Sequence, residues 1–332
     1  MNKIGSDIPG ILVLGRSQIE ELLFMKEALR AVEHSFKLEA EGKVIMPSKL
    51  YLDLPQYHGD FRAMPAYING TAGIKWVSVY PKNADHNLPS VIATIVLSDP
   101  NTGCPLAFMD GTYITSVRTG AAGGVAVKYL ARKDSTIIGM VGAGIQAKTQ
   151  LMAIAEVVSK IEEVKVFDLY KEVSQKYVKE MNAKLGLNLR VVETIEEVTE
   201  ADIVVTTTPS TKPVVMNKHI KPGTHINAIG ADAKGKQELE ASILLKAKVI
   251  VDDIEQASHS GEINVPLSQG VIKVEDIYGT LREIIAGTKR GRENEEEITI
   301  FDSTGLAIQD IICAKLVYEK AKERKATTFD LG

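Results

Sequence analysis

Three cations stand in stretches that otherwise carry mostly apolar or small side chains: Arg62 in Asp60-Phe-Arg-Ala-Met-Pro-Ala66, Lys75 in Gly73-Ile-Lys-Trp-Val77, and Arg118 in Ser116-Val-Arg-Thr-Gly120. A guanidinium grips a carboxylate through two parallel hydrogen bonds, and a lysine amine withdrawn from water titrates toward neutrality, where it can give and take a proton. Each residue alone has a second reading, as half of a structural ion pair or as an edge lysine whose stem is buried while its ammonium reaches water. On a strand of period two, Lys75 shares a face with Val77 and is flanked by Ile74 and Trp76.

A second group of residues is built for phosphate. The β-branched run before Gly142-Ala143-Gly144-Ile145-Gln146-Ala147 reads as a strand and the run after it as a helix, which makes this a G-x-G-x-x-A turn. In that fingerprint the first glycine makes the turn, the second lets backbone approach a pyrophosphate, and the third small residue lets helix pack on strand; Gly142, Gly144 and Ala147 hold those places. The next strand ends at Asp168, where an acid can bond the adenosine ribose. A carboxylate there repels a 2′-phosphate and favours NAD over NADP, with Lys171 just beyond it as the opposing feature. The loops Thr206-Thr207-Thr208-Pro209-Ser210 and Gly230-Ala231-Asp232-Ala233-Lys234-Gly235-Lys236 leave the carboxyl ends of two further strands and are expected to line the cofactor crevice. Asp232 is the acid best placed for proton transfer, although a loop aspartate also serves as a turn or cap residue. Three isolated cations beside a dinucleotide fold point to a small anionic substrate.

The elements that must position these groups fall into two patterns. A capping box at Ser17-Gln-Ile-Glu20 opens a helix whose apolar period runs through Leu22, Leu23, Met25, Leu29, Val32 and Phe36 to a stop at Gly42. Residues 49–110 then read as short strands of a mostly antiparallel sheet, and residues 115–131 as a small, apolar helix at the domain crossing. From residue 136 strands and helices alternate, which means a parallel sheet covered on both faces, with a helix expected from 238. A last amphipathic helix, residues 306 to about 325, presents Ile308, Ile311, Ile312, Leu316 and Val317 on one face and is expected to return to the first domain. The fold class is α/β: a Rossmann domain with a doubly wound parallel sheet over residues 121–305, plus an α+β substrate-binding domain over residues 1–120 and 306–332.

Bulk properties exclude other classes. The 332 residues are 45% hydrophobic and 25% charged, with net charge −4, so acids and bases nearly balance and no basic footprint for nucleic acid is present. No apolar run approaches the roughly 20 residues that span a bilayer, and the first residues, Met1-Asn-Lys-Ile-Gly5, lack a secretory core, so the cytoplasm is the expected location. Cys104 and Cys313 are read as reduced core thiols, and six dispersed histidines imply no metal site.

The segments around Arg62, Lys75, Arg118 and Gly142, together with Thr206-Thr-Thr-Pro-Ser210, Ile229-Gly-Ala-Asp232, Gly235-Lys-Gln-Glu238 and Asp302-Ser-Thr-Gly305, closely resemble, in order and over nearly the whole chain, the ornithine cyclodeaminase/mu-crystallin family. Within it the chain looks most like the archaeal-type alanine dehydrogenases. The resemblance implies a homodimer whose substrate domain carries the subunit interface. It places Arg62 and Lys75 at the substrate, Arg118 and Thr119 by cofactor and carboxylate, Asp232 in catalysis, and Gln146, Ala147, Asp168 and Ser303 on NAD. Thr207 and Ala231 join the cofactor set from the crevice loops. The implied reaction is oxidative deamination of a small L-amino acid, L-alanine to pyruvate and ammonia. The alternatives are cyclisation of L-ornithine to L-proline with recycled NAD, or a mu-crystallin-like ketimine reductase or NAD(P)-binding protein. Family cyclodeaminases often carry Glu where Arg62 stands, so the arginine leans toward the dehydrogenase.

Overall fold

The computed structural model describes residues 10–324 and 327–330; Met1–Gly5 and Lys325, which figured in the sequence reading, lie outside them. In chain order the first elements are β1 (Ile11–Leu14), α1 (Arg16–Glu20), α2 (Met25–Ala40), β2 (Val44–Ile45), β3 (Leu50–Leu54), β4 (Gly59–Ile68), β5 (Thr71–Val79), β6 (Val91–Ser98), β7 (Pro105–Asp110) and α3 (Thr112–Leu130). Then come β8 (Ile137–Val141), α4 (Ile145–Val157), β9 (Glu163–Phe167), α5 (Lys171–Leu185), β10 (Leu189–Val191), α6 (Ile195–Thr199), β11 (Ile203–Thr206) and β12 (His225–Ala228). The chain closes with α7 (Ala241–Leu244), β13 (Lys248–Val251), α8 (Ile254–Ser260), α9 (Asn264–Ser268), β14 (Gly279–Thr280), α10 (Leu281–Ile285), β15 (Thr299–Asp302), α11 (Ala307–Lys322) and β16 (Thr328–Phe329). Contacts divide the chain into one unit holding the described residues up to Arg118 and those from Leu306 onward, and a second unit, Thr119–Gly305. Among the described residues no helix is long and apolar enough to cross a membrane.

The first unit is built on one sheet in the order β16-β1-β7-β6-β5-β4-β2, with β3 also on β4. All its pairings are antiparallel except β1 with β7. Because side chains alternate, one face buries Met64, Lys75, Val77, Ala93, Ile95 and Met109, and α11 packs against β4, β5 and β6 as well as α2. The opposite face carries Leu52, Ile74, Trp76, Ile92 and Phe108, each at least 36% exposed, with Trp76 stacked on Phe61 at 5.2 Å.

Four sequence expectations change here. The chain opens with β1 rather than helix, and α1 is capped from Gly15, whose amide donates to the Gln18 side chain at 2.9 Å, so Ser17 is not the cap. The expected single helix is interrupted after Glu20: Phe24 is extended (φ −102°, ψ 150°) and caps a new helix that begins at Met25. Cys104 is half-exposed in the turn before β7, whereas Cys313 is buried and its thiol is pushed up to about 12 by burial.

The second unit is a wholly parallel sheet in the order β10-β9-β8-β11-β12-β15-β13-β14. Along β11, Ile203 and Val205 enter one apolar cluster with Ile138 and Met140, while Val204 enters another with Ile226 and Ile300. Both faces are therefore covered, which is why these strands read as unbroken apolar runs. The sheet grows outward in opposite senses from β8, and the gap between the ends of β8 and β11 is the topological switch point where such sheets take ligands. The helix expected from residue 238 begins only at Ala241: the amides of Glu238 and Leu239 donate to the Glu262 carboxylate and Leu239 bridges Val215, which keeps the segment extended.

His225, fully buried in β12, sits between Asn227 Oδ1 at 3.0 Å and Thr299 Oγ1 at 2.9 Å. Burial pushes its imidazole down to about 3. A depressed folded value means stability complete above the unfolded pKa of about 6.5 and lost as pH falls from there toward 3. Going from pH 7 to pH 5 should cost the wild type about 2 kcal/mol that His225→Asn does not lose, read as a divergence of their urea midpoints.

Candidate active site

In the first unit the alternation of β4 and β5 sets Arg62 opposite Val77 and Lys75 opposite Met64, all on the face that α11 covers. Lys75 is 1% exposed, and its Nζ lies 2.8 Å from Asp310 Oδ2 on α11. Arg118, in the second turn of α3, places Nε 2.8 Å from the other oxygen of the same carboxylate, Asp310 Oδ1, and donates from Nη1 to Gln309 Oε1 at 3.2 Å. Arg62 is held by Asp60, Nε to Oδ1 at 2.7 Å, and lies over the Tyr51 ring at 5.3 Å. Burial brings the Lys75 amine down to about 7; Arg118 pushes the same way and Asp310 pulls against both. An amine near neutrality can serve as acid or base at physiological pH.

In the second unit β8 runs into the glycine turn. Gly142 has φ +92°, where an added Cβ would lie 2.9 Å from Thr207 Oγ1, so neither the backbone nor the space there admits a side chain. Above Gly144 an added Cβ meets nothing within 4 Å. The first intrahelical bond of α4 is Lys148 N–H to Gly144 O at 3.3 Å, which leaves the amides of Ile145, Gln146 and Ala147 ahead of the ladder at the positive end of a 13-residue helix. An open glycine beneath unladdered amides fits a dinucleotide's pyrophosphate. Asp168 ties the turn, its carboxylate accepting from Ala143 N at 2.9 Å and Tyr170 N at 3.0 Å, and Lys171 is engaged by Glu193 at 2.6 Å. Gln146 is half-buried on α4, and Thr119, nearly buried in α3, accepts from Gln150 Nε2 at 2.9 Å through its carbonyl.

The crevice loops are fixed by buried acids to which sequence patterns assign no role. Glu238, fully buried, accepts from Thr206 Oγ1 at 2.7 Å, Thr208 N at 2.5 Å and Gly230 N at 2.8 Å, clasping the loop that carries Thr207 to the one that carries Ala231 and Asp232. Burial raises its carboxyl, and burial together with the Glu238 charge raises that of Glu262 well above the usual range. Asp252, at the end of β13, accepts from Thr304 N at 2.7 Å and Gly305 N at 2.6 Å and so orders the turn that contains Ser303. Asp232 is half-buried and paired with Lys236.

Lys75 and Arg118 thus come together on one carboxylate in the first unit, with Arg62 on its own partner, and Gly142, Gly144, Ala147, Asp168 and Thr207 come together at the switch point of the second. An amphipathic pattern over α11 assigns no role to Asp310 and Gln309. In fact residues 307–314 are buried on every side. The signal was present: two polar residues, Gln309 and Asp310, lie inside the run Ala307-Ile-Gln-Asp-Ile-Ile-Cys-Ala314, just as Lys75 lies inside its strand.

Residues 11–325 match the model of the ornithine cyclodeaminase/mu-crystallin family. The chain is 54% identical over 310 residues to the alanine dehydrogenase of Archaeoglobus fulgidus, covering 93% of this chain and 95% of that protein. Its structure superposes with a TM-score of 0.94 on an archaeal alanine dehydrogenase dimer with bound NAD, at 52% identity, over 98% of this chain and 100% of that one. It matches the Thermococcus litoralis Δ1-pyrroline-2-carboxylate reductase, in complex with NADH and L-proline, equally well in TM-score, 0.94, at 44% identity over 97% of this chain and 100% of that one.

Proposed function

We propose, starting from the fact that the chain belongs to the ornithine cyclodeaminase/mu-crystallin family, that it is a cytoplasmic, homodimeric, NAD-dependent oxidoreductase that deaminates L-alanine reversibly to pyruvate and ammonia. The observation that carries this reading is the buried pair of cations, Lys75 and Arg118, in a chain whose second unit has an open glycine turn at its switch point. The two cations hold the substrate carboxylate, with Arg62 as a third donor. NAD, held by Gly142, Gly144, Gln146, Ala147, Asp168, Thr207, Ala231 and Ser303, with Arg118 and Thr119 beside it, supplies the hydride acceptor when bound. Lys75 moves protons at the substrate nitrogen and oxygen as the imine takes up water, and Asp232 is the second proton-handling group. The identity to the Archaeoglobus enzyme supports alanine as substrate.

Incubating the purified protein with NAD and L-alanine, L-proline or L-ornithine tests it. Sustained NADH formation with L-alanine is the expected result. NADH from L-proline alone would instead assign pyrroline-carboxylate reductase chemistry, and proline formed from L-ornithine without NADH accumulation would assign a cyclodeaminase.

The exposed apolar face with Ile74, Trp76, Ile92 and Phe108 is what the second copy covers in this proposal, since a patch of that kind is costly to leave in water. Trp76→Glu should halve the sedimenting mass at micromolar concentration; an unchanged dimer would place the interface elsewhere.

A further inference from the structure

Lys75 and Arg118 are two buried cations, and the trio they form with Asp310 contains one carboxylate. The carboxylate is divided: Oδ2 faces Lys75 Nζ and Oδ1 faces Arg118 Nε, each at 2.8 Å, and Asp310 is itself fully buried. Beside it Gln309, also fully buried, gives Oε1 to Arg118 while its Nε2 finds no acceptor among the described residues. Two buried cations that share one counterion and a buried amide donor without an acceptor are both costly, and one oxyanion relieves both.

We propose that Asp310 is the positioning residue of this cluster: its two oxygens fix Lys75 and Arg118 side by side, and the positive charge it leaves uncancelled is what a substrate carboxylate satisfies. This rests on the reading of these cations as the carboxylate seat. Asp310 acts through Lys75. The charged groups acting on that amine are Arg118 from α3, Asp310 from α11 and Lys49 from the segment before β3, while the neighbouring strands present Met64 and Ile95. Removing Asp310 leaves the amine facing only like charges, whereas removing Arg118 leaves Asp310 opposed by Lys49 alone, so the two changes displace its ionisation in opposite directions.

The test is an NMR titration of the full chain labelled with 13C-lysine, with the Lys75 signal identified by its absence in Lys75→Arg. Asp310→Asn should move the Lys75 midpoint to lower pH by about one pH unit or more, and Arg118→Met should move it to higher pH by a similar amount. Pyruvate added to the wild type in the presence of NADH should also raise it, because the ligand supplies the missing anion. A midpoint unchanged in both variants overturns the proposal, and if Asp310→Asn does not fold, an unmoved or lowered midpoint in Arg118→Met does so alone. Since the titration needs no turnover, opposite displacements in an enzyme that fails to oxidise L-alanine would sink the substrate assignment and leave the role of Asp310 standing.

Discussion

Lys75→Met should lower kcat with L-alanine by about 10²–10⁴-fold, the range lost when a positioned acid or base is removed. KM should change less, because Arg118 and Arg62 still face the carboxylate. Methionine fills the volume without a charge, and it leaves Arg118 and Asp310 as a balanced pair. A general loss of folding is therefore not expected. Lysine with a folded value of about 7 against 10.5 unfolded binds fewer protons than the unfolded chain between those limits, so its contribution to stability is present at high pH and lost as pH falls through 7. At pH 6 the variant should consequently melt no lower than the wild type while turning over far more slowly. The wild-type kcat/KM profile should show an ionisation near pH 7 that is absent from the variant. Near-normal turnover in Lys75→Met, measured by NADH formation, would remove Lys75 from the chemistry.

Glu238→Ala has the second large expected effect. The carboxylate receives Thr206 Oγ1, Thr208 N and Gly230 N in a fully buried site, and alanine replaces it with a void that accepts nothing. Stranded buried donors cost roughly 1–3 kcal/mol each, and removal of a carboxylate that burial already disfavours offsets part of that, for a net loss of about 3 kcal/mol. The loops bearing Thr207 and Ala231 lose their common anchor, so the NAD dissociation constant should rise more than tenfold by fluorescence titration. Glu238→Gln, which keeps an acceptor oxygen, should recover part of both. Thermal unfolding and NAD affinity that stay at wild-type values in Glu238→Ala would show that the loops are held by other contacts.

These two residues illustrate different degrees of legibility. Lys75 was visible in the sequence because a strand alternates its faces, and a charge among Ile74, Trp76 and Val77 conflicts with that pattern wherever the strand lies. Glu238 was visible only as a letter in a motif, since its three donors come from Thr206, Thr208 and Gly230, on loops that leave two different strands.

What the sequence determined by itself was local: the glycine turn with its strand and helix, Asp168 at the next strand end, the alternating element pattern of the parallel sheet, and the isolated cations. Each follows from residue types within one or two elements, where backbone sterics and side-chain periodicity act over a few residues. Tertiary structure decided the partners. Asp310 lies 192 residues from Arg118 along the chain, on a helix whose first two turns are buried on all sides and so carry no periodic signal. Which carboxylate neutralises a buried cation depends on how sheet and helix pack, and the energy that selects it is long-range in sequence though short-range in space.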